Sequence, residues 1–143
     1  MAANTDPIFS KAGDVSNNSG TGMNQLVLSA ANDYTGAGAN NSLVFTAGPD
    51  GGFVQRLRFK AGGTNVATVA RIFINNGSAN TTATNNVFYD EIALPATTAS
   101  ATAGTPTIDL PMNIALPAGF RIYMGLATAV AAGWVVTPIA GEY

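Results

Sequence analysis

Short runs in which apolar and polar residues alternate recur along the chain, separated by stretches of Gly, Asn, Thr and Ala. Alternation with a period of two places successive side chains on opposite faces, the signature of a β-strand. The clearest run is 53–61, which sets Phe53, Leu57 and Phe59 on one face and Val54, Arg56, Arg58 and Lys60 on the other. After Gly62-Gly63, the run 66–75 sets Val66, Thr68, Ala70, Ile72 and Ile74 opposite Ala67, Val69, Arg71 and Phe73. Both faces are largely apolar, which predicts a central strand covered on both sides. Residues 87–94 predict a further strand, with Phe88, Ile92 and Leu94 on one face and Tyr89 and Glu91 on the other. In 120–127, Phe120, Ile122, Met124 and Leu126 face inward and Arg121 and Tyr123 outward. Weaker runs occupy 23–30, 43–46, 108–112 and 134–139, and Ile8-Phe9 begins an apolar patch. Pro111 favours an edge position, because proline donates no ladder hydrogen bond.

Turn signals punctuate these runs. Gly48-Pro49-Asp50-Gly51-Gly52 is the strongest, since proline presets φ and the glycines accept positive φ. Loops follow at 32–41, 75–86 and 95–106, and Leu116-Pro117-Ala118-Gly119 makes another turn. No helical periodicity intervenes. Eight or nine short strands in this spacing predict an all-β, antiparallel β-sandwich or barrel. The length fits one domain over residues 1–143. Its first residues, Met1, Ala2, Ala3, Asn4, Thr5 and Asp6, carry no core pattern. They are expected to form a loose arm that folds against a neighbour in an assembly.

Composition narrows the chemistry. Charged residues make up 10% of the chain, against about 25% in an average domain. Neutral Asn, Thr, Ser and Gly must cover the surface instead, which leaves little repulsion between copies. Cys and His are both absent, so disulfides, thiolate chemistry and the commonest general base are excluded. The chain has no Gly-x-Ser-x-Gly and no phosphate-binding loop. Gly20-Thr21-Gly22 and Gly36-Ala37-Gly38 read as flexible turns, since no helix pattern follows either. Asp90 and Glu91 adjoin on one strand and so point to opposite faces, and a sandwich can bring Asp109 near one of them. Asp14 with Asn17 and Asn18, or Asp50 with nearby carbonyls, fits turn hydrogen bonding better than a calcium site. No enzyme activity, cofactor or metal is expected. The net charge of −2 argues against a nucleic-acid partner, which requires a basic excess. No apolar run approaches the ~18 residues of a membrane helix. No secretory signal is visible in the first residues, so a chain made in a cytoplasm is expected.

One cluster stands out. Arg56, Arg58 and Lys60 share a strand face, and Arg71 joins them if the following strand pairs as a hairpin. The plain reading is a solvated face that deters edge pairing. The functional reading is a docking patch for an acidic protein surface, or for a carboxylate or phosphate.

Several segments resemble, in texture and order, the cement (head decoration) proteins of phage capsids. They are Val54-Gln55-Arg56-Leu57-Arg58-Phe59-Lys60, Gly63-Thr64-Asn65-Val66-Ala67-Thr68-Val69-Ala70-Arg71 and Asp90-Glu91-Ile92-Ala93-Leu94-Pro95. Leu116-Pro117-Ala118-Gly119-Phe120-Arg121, Ala131-Ala132-Gly133-Trp134-Val135-Val136 and the terminal Gly141-Glu142-Tyr143 complete the set. The resemblance implies a jelly-roll protein on the outside of an expanded icosahedral shell, clamping neighbouring capsomers. Its partners would be the phage major capsid protein and further copies of itself, as a homodimer or trimer, and its place the virion exterior. The alternative expectation is a carbohydrate- or receptor-binding jelly-roll module of a phage tail or fibre. Tyr34, Tyr89, Tyr123 or Trp134 would then stack on sugars.

Overall fold

The computed structural model describes residues 25–27, 33–38 and 40–143, with the side chains of 25–27 outside that description. Eight strands run through it: β1 (Gln25–Val27), β2 (Ser42–Thr46), β3 (Gly52–Ala61), β4 (Thr68–Asn75), β5 (Asn86–Leu94), β6 (Thr107–Leu116), β7 (Arg121–Leu126) and β8 (Trp134–Glu142). Each overlaps one of the alternating runs, with β6 and β8 extending past the predicted ends at 112 and 139. No α-helix occurs among the described residues, and a single 3-10 turn, Ala83–Asn85, breaks the 75–86 loop. The expected arm Met1–Asp6, the Ile8-Phe9 patch and the facing of residues 23–30 lie outside the described residues.

The strands pair as one long antiparallel hairpin folded over itself: β1 with β8, β2 with β7, β3 with β6 and β4 with β5. Pairing of β3 with β8 and of β4 with β7 joins them into two sheets, ordered β1-β8-β3-β6 and β2-β7-β4-β5. This wrap is a jelly-roll sandwich. The core fills the space between the sheets. The first sheet contributes Val54, Leu57, Phe59, Leu110, Met112, Trp134 and Val136, and the second Val44, Phe45, Ala70, Ile72, Leu94, Ile122, Met124 and Leu126. Each such large side chain contributes about 1.5–3 kcal/mol on burial. As its two apolar faces predict, β4 is central in its sheet, and Pro111 sits on the edge strand β6.

Two β-bulges correct the face assignments. Between Val54 and Arg56 the register of β3 slips against both neighbours. Against β8 the extra residue is Gln55. Against β6 it belongs to the partner strand, where Asn113 takes a φ of 50°, a region that Asn tolerates better than most residues. The slip reverses the parity of the strand. Val54, Leu57 and Phe59 are therefore all fully buried, and Val54 does not share a face with the cations. In β5, Tyr89 is the extra residue opposite the step from Ile72 to Phe73. Phe88 consequently lies opposite Phe73 on the outer face of the second sheet, while Ile92 and Leu94 pack toward the core.

The connection 62–67 carries the chain from the first sheet to the second, so β3 and β4 do not form a hairpin. It is longer than the two to five residues of a usual hairpin loop. Buried Asn65 fastens it to two other loops. Its amide donates to the Gly133 carbonyl at 2.8 Å and accepts from the Ala132 N–H at 2.8 Å. Its backbone exchanges both hydrogen bonds with Thr97. Side chain and backbone of this one residue thereby tie three loops together at one end of the sandwich.

Candidate functional site

The outer face of β3 carries Arg56, Arg58 and Lys60 on a strand held by β8 on one side and β6 on the other. Arg58 stands between Thr137 and Asp109 in register. Its guanidinium forks onto the carboxylate, Nε donating to Oδ1 at 2.8 Å and Nη2 to Oδ2 at 2.9 Å. The same carboxylate lies 3.8 Å from Arg56 Nε. Lys60 Nζ donates to the Thr105 carbonyl and, at 3.4 Å, to Thr107 Oγ1. Hydrogen bonding from Arg58, helped by the charges of both arginines, holds the Asp109 carboxyl below its usual pKa, and the Arg58 guanidinium is raised in return. Three cations against one carboxylate leave a positive row on a chain whose net charge is −2. Where the bulge bends β3, Phe53, Gln55, Ile139, Ala140 and Gly141 line a shallow hollow of ≈ 210 Å³ beside the row. That is smaller than the usual small-molecule pocket.

Arg71 is not part of this row. It lies on β4 in the second sheet, opposite Glu91 on β5 and Gly125 on β7. The hairpin that would have brought it beside Arg58 is replaced by the crossover. Its Nε is 3.7 Å from Glu91 Oε2, and its guanidinium lies 4.1 Å from the centroid of the Tyr34 ring, a cation–π geometry.

Tyr34 belongs to the loop residues 33–38, which lie against Phe73, Phe88 and Arg71 on the outside of the second sheet. Asp33 starts it by accepting from the Thr35 N–H at 2.9 Å and the Thr35 hydroxyl at 2.7 Å, bonds that pull its carboxyl below the usual range. Gly36, at φ 70°, then seats the backbone on Phe73: a Cβ here would come within 2.6 Å of Phe73 Cδ1. The Gly36-Ala37-Gly38 step is therefore a packing contact as well as a turn. Phe73 points away from the core yet is fully buried beneath the loop. Phe88 meets it at a ring separation of 5.7 Å and meets Tyr34 edge-on at 5.1 Å.

This aromatic cluster continues into solvent along β5. Val87 is 64% exposed, Tyr34 58%, Phe88 38% and Tyr89 37%. Periodicity alone places Phe88 on the face of Ile92 and Leu94, and the bulge at Tyr89 turns it to the other. The signal that could have found the cluster is the run Val87-Phe88-Tyr89, since three consecutive large apolar residues cannot all point inward from one strand. Of the aromatics considered for sugar stacking, Trp134 and Tyr123 are buried, and Tyr34 and Tyr89 remain accessible.

Asp109 is engaged by Arg58 in the first sheet, and Glu91 sits against Arg71 in the second. Among the described residues no three of His, Cys, Asp and Glu come together as a metal site would require, and no helix is long and apolar enough to cross a membrane. Asp14, Asn17 and Asn18 lie outside the described residues. Comparison of the chain with protein-family models, with curated proteins and with solved structures finds no match.

Proposed function

We propose that this protein is a structural virion component that binds the outer surface of a phage capsid and stabilises the contacts between capsomers. The observation that carries the proposal is the row Arg56, Arg58 and Lys60. It consists of cations ordered by Asp109, Thr105 and Thr107 on an inner strand of the first sheet. Side chains already held in place lose little entropy when an acidic surface meets them. Arginine in particular presents a planar fork to carboxylates. The resemblance of the β3, β4–β5 and β8 segments to cement proteins supports the same reading. The partner is then the major capsid protein, met at an acidic patch on the shell exterior. Each copy contributes modest contacts, and the number of copies multiplies them. Because only the assembled shell offers the full site, binding stabilises that state by mass action.

The experiment is to heat shells stripped of this protein, with and without purified chain added back, and to repeat it with the triple variant R56E/R58E/K60E. Wild-type chain is expected to raise the melting temperature of the shell, and the variant to leave it unchanged. Equal melting in all three conditions would refute the proposal.

A further inference from the structure

We infer that the hollow beside Arg56 and the cation row form one two-part site for an extended acidic segment of a partner protein, which seats an apolar side chain in the hollow and a carboxylate on Arg56. The inference rests on the docking role of the row and adds the kind of segment that docks. In register, Thr107, Asp109 and Pro111 of β6 stand opposite Lys60, Arg58 and Arg56, and Val135, Thr137 and Ile139 of β8 flank the same three residues. Of the three cations, Arg58 alone therefore stands opposite a carboxylate. Arg56 lies between Pro111 and Ile139, neither of which carries an acceptor on its side chain. Its Nε is buried without a hydrogen-bond partner, and Asp109 Oδ2, at 3.8 Å, is beyond hydrogen-bond range. The side chain as a whole is 35% exposed, so the guanidinium is open to a carboxylate from outside. Its apolar neighbours lower the local dielectric and strengthen such a contact.

Ile139, which flanks Arg56, also lines the hollow, and Phe53 with Gly141 forms the next outward pair along the sheet. A volume of ≈ 210 Å³ has room for one large apolar side chain, since a cavity of about 150 Å³ takes up a benzene ring. The charges set the spacing. Asp109 answers Arg58, which leaves Arg56 and Lys60 as the members with no carboxylate opposite them. In an extended chain every second side chain faces the same way, at steps of about 6.6 Å, which is also the step between the cations of β3. A segment lying in step along β3, with an apolar residue in the hollow, brings the residue two positions on to Arg56 and the residue four beyond that to Lys60. Carboxylates at those two positions match the two unanswered charges. A phosphate chain supplies charge and nothing for the hollow, so the site fits a protein segment better.

The purified chain and capped synthetic peptides suffice for the test. The probes are FTDTTTD and its reversed order DTTTDTF, because the row leaves the direction of the segment open, each followed by NMR titration. One of the two is expected to bind, with shifts at β3 and β8. Replacing its phenylalanine by serine is expected to weaken binding about tenfold, the factor that partial burial of one large apolar side chain supplies. Ile139→Ser is expected to cost the phenylalanine peptide a similar factor and to leave the serine peptide unchanged, a coupling that charge alone does not produce. Arg56→Gln is expected to weaken both. Absence of peptide binding, or binding indifferent to both the phenylalanine and I139S, overturns the inference. So does a short polyphosphate that binds as tightly as the peptide and ignores I139S. Shells protected from melting by a chain that binds neither peptide would remove the two-part site and keep the capsid role. Peptide binding without shell protection would do the reverse.

Discussion

Asn65 shows how much of this fold depends on single polar side chains. It is 4% exposed and satisfies the Ala132 N–H and the Gly133 carbonyl at once. Asn65→Ala leaves the Ala132 N–H without this partner and takes from the Gly133 carbonyl one of its two donors, the other being the Gly62 N–H at 2.9 Å. The expected loss is about 1–3 kcal/mol of unfolding free energy, read as a lower urea midpoint. Asp109 acts at the surface and has a pH signature. Its folded pKa is depressed by the Arg58 fork, so it stays ionised where the unfolded carboxyl, near ~3.9, already takes up a proton. The pair therefore favours the folded chain at neutral pH. That advantage fades as pH falls through the ordinary carboxylate range and vanishes once folded Asp109 protonates. Because the partners are 44% and 35% exposed, the effect is small. Urea midpoints of wild type and Asp109→Asn are expected to differ slightly at neutral pH and to converge at the acid end. A gap that persists in acid would contradict the ion pair as its source.

The strands themselves were legible because burial on one side of a sheet writes a period of two into the sequence. All eight runs became strands, and β7 kept every inward residue where alternation placed it. The failures have one cause. A bulge adds a residue without changing composition, so Val54 and Phe88 each moved to the face opposite the one that strict alternation gives. The outward burial of Phe73 was hidden for a related reason: its cover comes from a loop some forty residues earlier in the chain. The β3 bulge makes a direct prediction. Deleting Gln55 straightens the pairing with β8 and turns either Val54 or the pair Leu57 and Phe59 toward solvent. At about 1.5–3 kcal/mol per side chain, in a molecule of ordinary stability, the deletion variant is expected to lose its cooperative thermal transition. Gln55→Ala keeps the residue count and is expected to stay within about 0.5 kcal/mol of wild type. A deletion variant that melts like wild type would show that the bulge does not set the strand's facing.

The whole molecule presents two unlike surfaces on its two sheets: a cation row on the first and an aromatic edge on the second. The row was visible in the sequence as far as Lys60. Arg71, which a β3–β4 hairpin would add to it, lies on the other sheet, because whether consecutive strands pair or cross between sheets depends on the global wrap. Local pattern does not record that wrap. The partner is less legible still, since three cations state the charge of what they meet and nothing more. If the β3 row docks on the shell, each copy adds one such contact and the number of copies supplies the valency. Occupancy of the shell is then expected to fall with added salt, because the docking row is exposed and screened.

The most direct measurement is a cryo-EM reconstruction of virions from the genome that encodes this chain. The expected density is an eight-stranded jelly roll on the capsid exterior, at a junction between capsomers, with Arg56, Arg58 and Lys60 turned toward the shell. Virions that lack the protein, or that hold it at the tail with the β3 row facing solvent, would contradict the proposed role.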